Sequence, residues 1–254
     1  MNHPTAITHP YRRHTDKVAK RQSLPSQAGE RNAVAPQKHA DDAEKIRARL
    51  NFCIALVALV LLMPLMILIA LAVKFTSKGP IFYSQPRVGL DRRRDDASPG
   101  IYRRVQDLGG MPFRIYKFRT MTVDAERETG AVWASKDDPR ITWVGRILRK
   151  ARLDELPQLF NVMKGEMRIV GPRPERPAIF ANLKTQVDNY HVRQRALPGI
   201  TGLAQINQSY DTSIDSVRTK VQHDLAYIER QSLAEDFRIM LKTIPVVLFR
   251  RGGW

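Results

Sequence analysis

Two carboxylates stand side by side at Asp154 and Glu155, within the run RLDELPQLFNVMKGEMRIVGPRPERP from Arg152 to Pro177. Pro157 is compatible with the first turn of a helix but not with its middle. The spacing therefore predicts a helix that starts near Asp154, with Asp154 as its N-cap. The positive end of that helix dipole favours an ionised carboxylate, while the neighbouring charge opposes ionisation of both together. A divalent cation, or the nearby Arg149 and Arg152, relieves that repulsion. An ionised Asp beside cations can act as a nucleophile toward phosphorus. The same residues also read as a plain capping acid followed by a helix-start Glu.

Further along is Gly171-Pro172-Arg173-Pro174-Glu175-Arg176-Pro177. Its three prolines restrict the backbone and leave Arg173 and Arg176 little freedom. A guanidinium on a rigid turn is suited to fork onto a phosphate. A second Gly/Pro-marked loop, LPGITGLAQ, runs from Leu197 to Gln205. Its glycines allow close approach of backbone to a ligand, or simply a turn. The chain has no G-x-x-x-x-G-K-[ST] and no G-x-G-x-x-G, which argues against P-loop and Rossmann nucleotide binding. No Ser/His/Asp arrangement can be read, and His191 and His223 read as structural or solvent-facing.

These residues must be positioned by a scaffold, and the strongest physical signal there is apolar. From Asn51 to Val73 the chain, NFCIALVALVLLMPLMILIALAV, carries no charge. About 20 such residues cross the hydrocarbon core of a bilayer as a helix. Pro64 lies at its centre, where it removes a backbone hydrogen bond and favours a kink. Basic residues flank both ends: Lys45, Arg47 and Arg49 before, Lys74 and Lys78 after. A crossing helix usually carries its Lys/Arg bias on one side. Two arrangements fit these features: a kinked spanning helix, and a helix that enters, bends at Pro64 and returns to the same face.

Beyond the apolar segment, residues Gly79–Gly89 and Met111–Met121 alternate apolar and polar and predict two paired strands. Between them lies a polar insert, Asp91–Gly110, read as a surface loop. Helical spacing recurs at Ile141, Val144, Ile147 and Leu148, at Ile214, Val217, Val221, Leu225 and Ile228, and at Phe237, Leu241, Ile244 and Val247. The expected organisation is a disordered basic tail over 1–43, a membrane helix with its flanks over 44–78, and a cytosolic catalytic domain over 79–254. The fold class is α+β, predominantly helical, with a small β-hairpin element.

The chain has 42 Lys+Arg against 25 Asp+Glu, a net charge of +17, which points to an anionic partner: nucleic acid, an acidic membrane surface or phosphorylated substrates. Residues 1–50 hold only +5 of that excess, so the tail is not its main source. A single cysteine, Cys53, excludes an internal disulfide framework and a Cys-based zinc site.

The runs KFRTM (Lys117–Met121), DDPRIT (Asp137–Thr142), LRKARLDELPQLFNVMKGEMRIVGPRPE (Leu148–Glu175) and LPGITGLAQIN (Leu197–Asn207) resemble the bacterial sugar transferase family. These are the monotopic polyprenyl-phosphate phosphoglycosyl transferases, here in their short form. The resemblance covers about Lys45 to Leu248.

It implies a monotopic protein on the cytoplasmic face of the bacterial inner membrane, held by a re-entrant helix broken at Pro64. It implies transfer of a phospho-sugar from a UDP-sugar to undecaprenyl phosphate, with release of UMP, as a step that initiates surface polysaccharide or glycan assembly. By resemblance Asp154 is the nucleophile that forms a covalent phospho-sugar enzyme, and Mg²⁺ lies close to it. Glu155 completes the dyad and assists metal binding or proton movement. Lys117, Arg149 and Arg173 are implied phosphate-contacting cations, with Pro172 and Pro174 holding Arg173.

The chain departs from the family pattern in two places. The insert Asp91–Gly110 lengthens a short connection, and Gln208-Ser209-Tyr210-Asp211 stands where many members carry Gly-Arg. The donor sugar, the glycan pathway and the oligomeric state stay open, a homo-oligomer included. The rival class is a membrane-tethered nucleic-acid-binding protein. It is disfavoured because the basic residues are dispersed and no nucleic-acid motif is present.

Overall fold

The computed structural model describes residues 35–92, 109–123, 125, 138–208 and 213–248. The expected tail up to residue 34, the insert over 93–108 and the departure at Ser209–Asp211 lie outside the described residues. The chain divides into two units, Met1–Asp41 and Asp42–Trp254. Of the first, only residues 35–41 at the start of a helix are described; every other element belongs to the second.

Helix α1, Ala35–Thr76, starts earlier than the expected boundary at residue 44 and continues through Pro64 without interruption of its helical assignment. Its apolar part is long enough to cross a membrane. One stripe, Ala55, Leu59, Met66, Ile69 and Val73, is buried in the main core cluster with Ile115, Phe118, Val144, Leu148, Leu159, Val162 and Met167. The remaining faces are bare: Leu61 is 73% exposed and Phe75 82%. A patch of this size and polarity in water would cost several kcal/mol, so α1 is built for an apolar surrounding.

Both ends of the apolar stretch are tied to the rest of the structure. Near its start, Arg47 donates to Asp236 at 2.7 Å and to the Tyr227 hydroxyl at 3.1 Å. The Ile169 amide donates to Asn51 Oδ1 at 2.7 Å. Beyond its end, buried Arg119 donates to the carbonyls of Ser77 and Lys78 and to the Ser77 hydroxyl. Arg119 also reaches the Val73 carbonyl in the last turn of α1 at 3.4 Å, one of the carbonyls a helix terminus leaves without an intrahelical partner.

Strands β1, Phe82–Val88, and β2, Pro112–Phe118, pair antiparallel as the alternation predicts. Helix α2, Trp143–Lys150, is capped by the Thr142 hydroxyl, which accepts from the Gly145 amide at 3.0 Å. Three short helices show no periodic signal in the sequence: α3, Gln158–Met163; α4, Pro177–Gln186; and α5, Leu203–Asn207. The amphipathic spacings near the C-terminus form α6, Ile214–Arg230, and α7, Leu233–Leu248. A second small sheet pairs β3, Arg168–Val170, in parallel with β4, Gly199–Thr201.

One local expectation needs correction. Asp154 does not cap a helix; it lies in a single 3₁₀ turn, Leu153–Glu155, and α3 begins only after Pro157. Asp154 is an interior residue of a tight turn entered at Arg152, not the half-outside residue that stands ahead of a helix, and the α-helix proper starts afresh at Gln158. The turn closes by shorter-range bonds instead, from the Glu155 amide to the Arg152 carbonyl and from the Leu156 amide to the Leu153 carbonyl. Arg152 enters that turn in the left-handed region, at φ 55°. The dipole of a long helix therefore does not explain the chemistry of Asp154.

Candidate active site

Four consecutive residues at the end of β2 serve four different tasks. Lys117 reaches the carboxylates, Phe118 fills the core, Arg119 holds the end of α1, and Thr120 meets α2. Within β2, alternation sends Lys117 and Phe118 to opposite sides. Thr120 accepts from Arg149 Nε at 3.0 Å through its hydroxyl, and its carbonyl accepts from the Thr142 amide. Gly145 packs directly on the Thr120 backbone, where a Cβ would collide. That close approach sets α2, and with it Arg149, beside the strand end.

Asp154 and Glu155 are both buried. Lys117 Nζ lies 2.7 Å from Glu155 Oε1 and 3.8 Å from Asp154 Oδ2. Arg173 donates to Glu155 from both terminal nitrogens, at 2.6 and 3.5 Å. The site thus joins β2, the 3₁₀ turn and the Gly171–Pro177 loop. Residues far apart in the chain, Lys117, Asp154, Glu155 and Arg173, lie together, and Arg149 acts on Asp154 through its charge.

The two acids are unequal. Burial pushes the Asp154 carboxyl above its usual range; Glu155 adds to that, while Lys117, Arg149 and Arg173 oppose it. Burial works in the same direction on Glu155, but Arg173 and Lys117 overcome it and hold Glu155 well below the usual range. Glu155 is therefore the fixed anion that gathers two cations, and a poor proton donor. Asp154 stands beside those cations with its acceptor capacity less engaged.

The Gly171–Pro177 loop is immobilised from outside. Prolines 172, 174 and 177 cannot donate, so the loop cannot pair with itself as a regular element would. Its carbonyls are taken up by neighbours: Pro172 by the Gly199 amide and Glu175 by the Val88 amide, both at 2.9 Å. Pro174 is served by Arg87 at 3.1 Å, and Arg173 by Arg193 at 3.1 Å. The glycines of the second loop serve this packing, because a Cβ at Gly199 or Gly202 would strike the backbone of Gly171.

Sequence reasoning missed Arg87, Arg193, Thr120 and the Asp138–Arg140 pair. In the pair, Arg140 donates to both oxygens of Asp138, at 2.8 and 2.6 Å. Thr120 and Asp138 fall within the KFRTM and DDPRIT runs, but Arg87 and Arg193 carry no motif-like signal. Among the described residues no three His, Cys, Asp or Glu side chains gather into a metal cage. One carboxylate with spare acceptor capacity, completed by substrate phosphates, is nevertheless the usual way Mg²⁺ is held. Asp154 fits that pattern.

Fold and site together define a protein with a membrane-grade apolar helix beside a buried carboxylate pair framed by cations. The chain belongs to the bacterial sugar transferase family, whose model matches residues 43–250. It is 38% identical over 208 residues to the UDP-N-acetylgalactosamine-undecaprenyl-phosphate N-acetylgalactosaminephosphotransferase of Aeromonas hydrophila, covering 82% of this chain and 45% of that protein. It is 37% identical over 196 residues to the UDP-glucose:undecaprenyl-phosphate glucose-1-phosphate transferase of Escherichia coli (strain K12), covering 76% and 38%. The match to the exopolysaccharide production protein ExoY of Sinorhizobium fredii is 37% over 215 residues, covering 79% and 84%. The chain thus spans less than half of the first two relatives and most of the third.

Proposed function

We propose that the chain is a polyprenyl-phosphate phosphoglycosyl transferase that moves a phospho-sugar from a UDP-sugar to undecaprenyl phosphate. The names of its relatives support the substrate class. The observation that carries the reading is the inequality of two adjacent buried acids, Glu155 saturated by Lys117 and Arg173 and Asp154 approached by Lys117 only at 3.8 Å.

In the first step an oxygen of Asp154 bonds to the sugar-bearing phosphorus of the donor, and the phosphoanhydride bond breaks, releasing UMP. In the second, an oxygen of undecaprenyl phosphate attacks the same phosphorus, and the aspartyl O–P bond breaks to free the enzyme. Lys117, Arg149 and Arg173 offset the negative charge that would otherwise repel a carboxylate from a phosphate. Splitting the transfer lets a soluble donor and a lipid acceptor use one site in turn. Asp154 is the residue that would hold Mg²⁺, which supplies further charge neutralisation when bound.

The membrane reading completes the scheme: α1 enters the cytoplasmic face of the inner membrane, turns near Pro64 and returns. It is supported by the anchors at its two ends. Arg47 pairs with Asp236, and Arg119 holds Ser77 and Lys78, so both flanks are bonded to the same soluble unit. A unit bound at both flanks favours both lying on one side of the bilayer. The lipid phosphate sits at headgroup depth, which a shallow anchor matches. The ExoY relative, an exopolysaccharide production protein, supports a role in making surface polysaccharide, for which this transfer would be the initiating step.

The test is UMP release from membranes given Mg²⁺, undecaprenyl phosphate and a panel of UDP-sugars. At least one donor should give UMP, dependent on the lipid phosphate for multiple turnovers. No release with any donor contradicts the reading.

A further inference from the structure

Among the described cations of the site, Arg173 alone comes from a loop without regular hydrogen-bonded structure. Its guanidinium can stay on Glu155 only if the backbone that carries it is fixed. Two arginines meet that need. Arg193 Nη2 donates to the carbonyl of Arg173 itself at 3.1 Å, and Arg87 Nη1 donates to the next carbonyl, Pro174, at 3.1 Å.

Each donor is itself anchored. Arg193 Nε donates to Asp224 on α6 at 2.7 Å, with both side chains almost fully buried, and the guanidinium lies 5.0 Å from the ring centre of Tyr190. Arg87 donates to Gln85 at 3.1 Å and lies 3.5 Å from Glu175, which Lys220 approaches at 3.7 Å. A buried ion pair contributes little net stability after desolvation. A planar guanidinium, however, offers several donors in fixed directions, so one group can bind its anchor and a distant carbonyl together. Burial of Arg193 against Asp224 is well explained by that second bond.

We propose that Arg193 and Arg87 form a two-arginine clamp that positions Arg173 by holding the backbone carbonyls of Arg173 and Pro174. Both are positioning residues; the group they place acts at the carboxylate pair. The consequence for turnover rests on the transferase reading, whereas the clamp itself does not.

The test uses full-length chain in detergent and two variants, Arg193→Lys and Arg87→Lys. Each keeps a positive charge for its anion but lacks the fork needed to hold the carbonyl as well. Arg87 is partly exposed, so its variant remains informative if Arg193→Lys does not fold. Hydrogen exchange by mass spectrometry should show the amides of Gly171, Gly199 and Val88, which bond between this loop and its neighbours, opening about tenfold faster in either variant, with α6 unchanged. Unchanged exchange at these amides in a folded variant overturns the clamp, whether or not the protein transfers sugar.

Transfer should fall about tenfold to hundredfold, the cost of a small misplacement from outside the reacting centre. Combined with Arg173→Lys, the loss should be no greater than for Arg173→Lys alone; multiplied losses would overturn action through Arg173. If wild type transfers nothing, the transferase reading fails and the exchange result alone decides the clamp.

Discussion

Lys117 lies 2.7 Å from Glu155 but 3.8 Å from Asp154. The strand cation is thus bound to the acid beside the proposed nucleophile, and leaves the nucleophile itself less engaged. Were the short bond made to Asp154, that oxygen would be tied up before a donor arrived.

Removing this cation should damage the reaction more than the fold. Lys117→Met is expected to lower kcat/KM about 100-fold to 1000-fold, as loss of a single electrostatic donor does. Lys117→Arg should recover part of that loss. Steady-state UMP release against each donor measures both. A Lys117→Met enzyme with full kcat/KM would remove Lys117 from the site.

Asn161 should be a stability residue without contact to substrate. It is fully buried, accepts from the Tyr116 amide at 3.1 Å and donates to the Arg114 carbonyl at 2.7 Å, which locks α3 onto β2. Asn161→Ala leaves two half-buried backbone groups without their side-chain partner, at a cost of about 1–2 kcal/mol. Thermal or denaturant unfolding in detergent checks this. An unchanged midpoint would mean that β2 and α3 are held by other contacts.

The Asp138–Arg140 pair should give an acid-side signature. The hydrogen bond from Arg140 lowers the Asp138 carboxyl from 3.8 to about 2. A carboxyl lowered in the folded state contributes stability that is complete above its unfolded value and fades as pH falls through its folded value. Wild type should therefore exceed Asp138→Asn in stability at about pH 5, with the gap closing as pH approaches about 2. Unfolding midpoints of the two proteins across that range are the measurement. A gap that widens on acidification would reverse the sign.

Topology can be tested with single cysteines. Cys53 is exposed, so it is first replaced by Ser. Asp41→Cys or Ser77→Cys, treated with an impermeant maleimide, should react only after the inner membrane is opened. Labelling of one of the two from outside intact spheroplasts would show that α1 crosses.

The hairpin and the amphipathic helices are legible in the sequence because each element carries its own period. Phe82–Val88 and Pro112–Phe118 alternate, and Val217, Val221 and Leu225 recur at helical spacing. Strands β3 and β4 are not, because three residues cannot display a period and their pairing is parallel across a long connection. The helix-start pattern puts Asp154 on the wrong local structure, since an Asp ahead of a Pro reads as a cap and the tight turn entered at left-handed Arg152 leaves no mark in the residue types. Arg87 and Arg193 are invisible for another reason. Arg193 and Arg195 are two residues apart and chemically identical, yet one is buried on Asp224 and the other is exposed. Only the packing of α6 distinguishes them.

The central claim is that Asp154 carries the phospho-sugar, and trapping that intermediate tests it most directly. Purified chain is mixed with a competent UDP-sugar and no lipid acceptor, quenched in acid and analysed by intact and peptide mass spectrometry. Wild type should gain the mass of one sugar phosphate on the peptide that contains Asp154, and added undecaprenyl phosphate should discharge it. Asp154→Asn should show no adduct. An adduct of the same mass in Asp154→Asn, or one mapped to a different residue, would contradict the account.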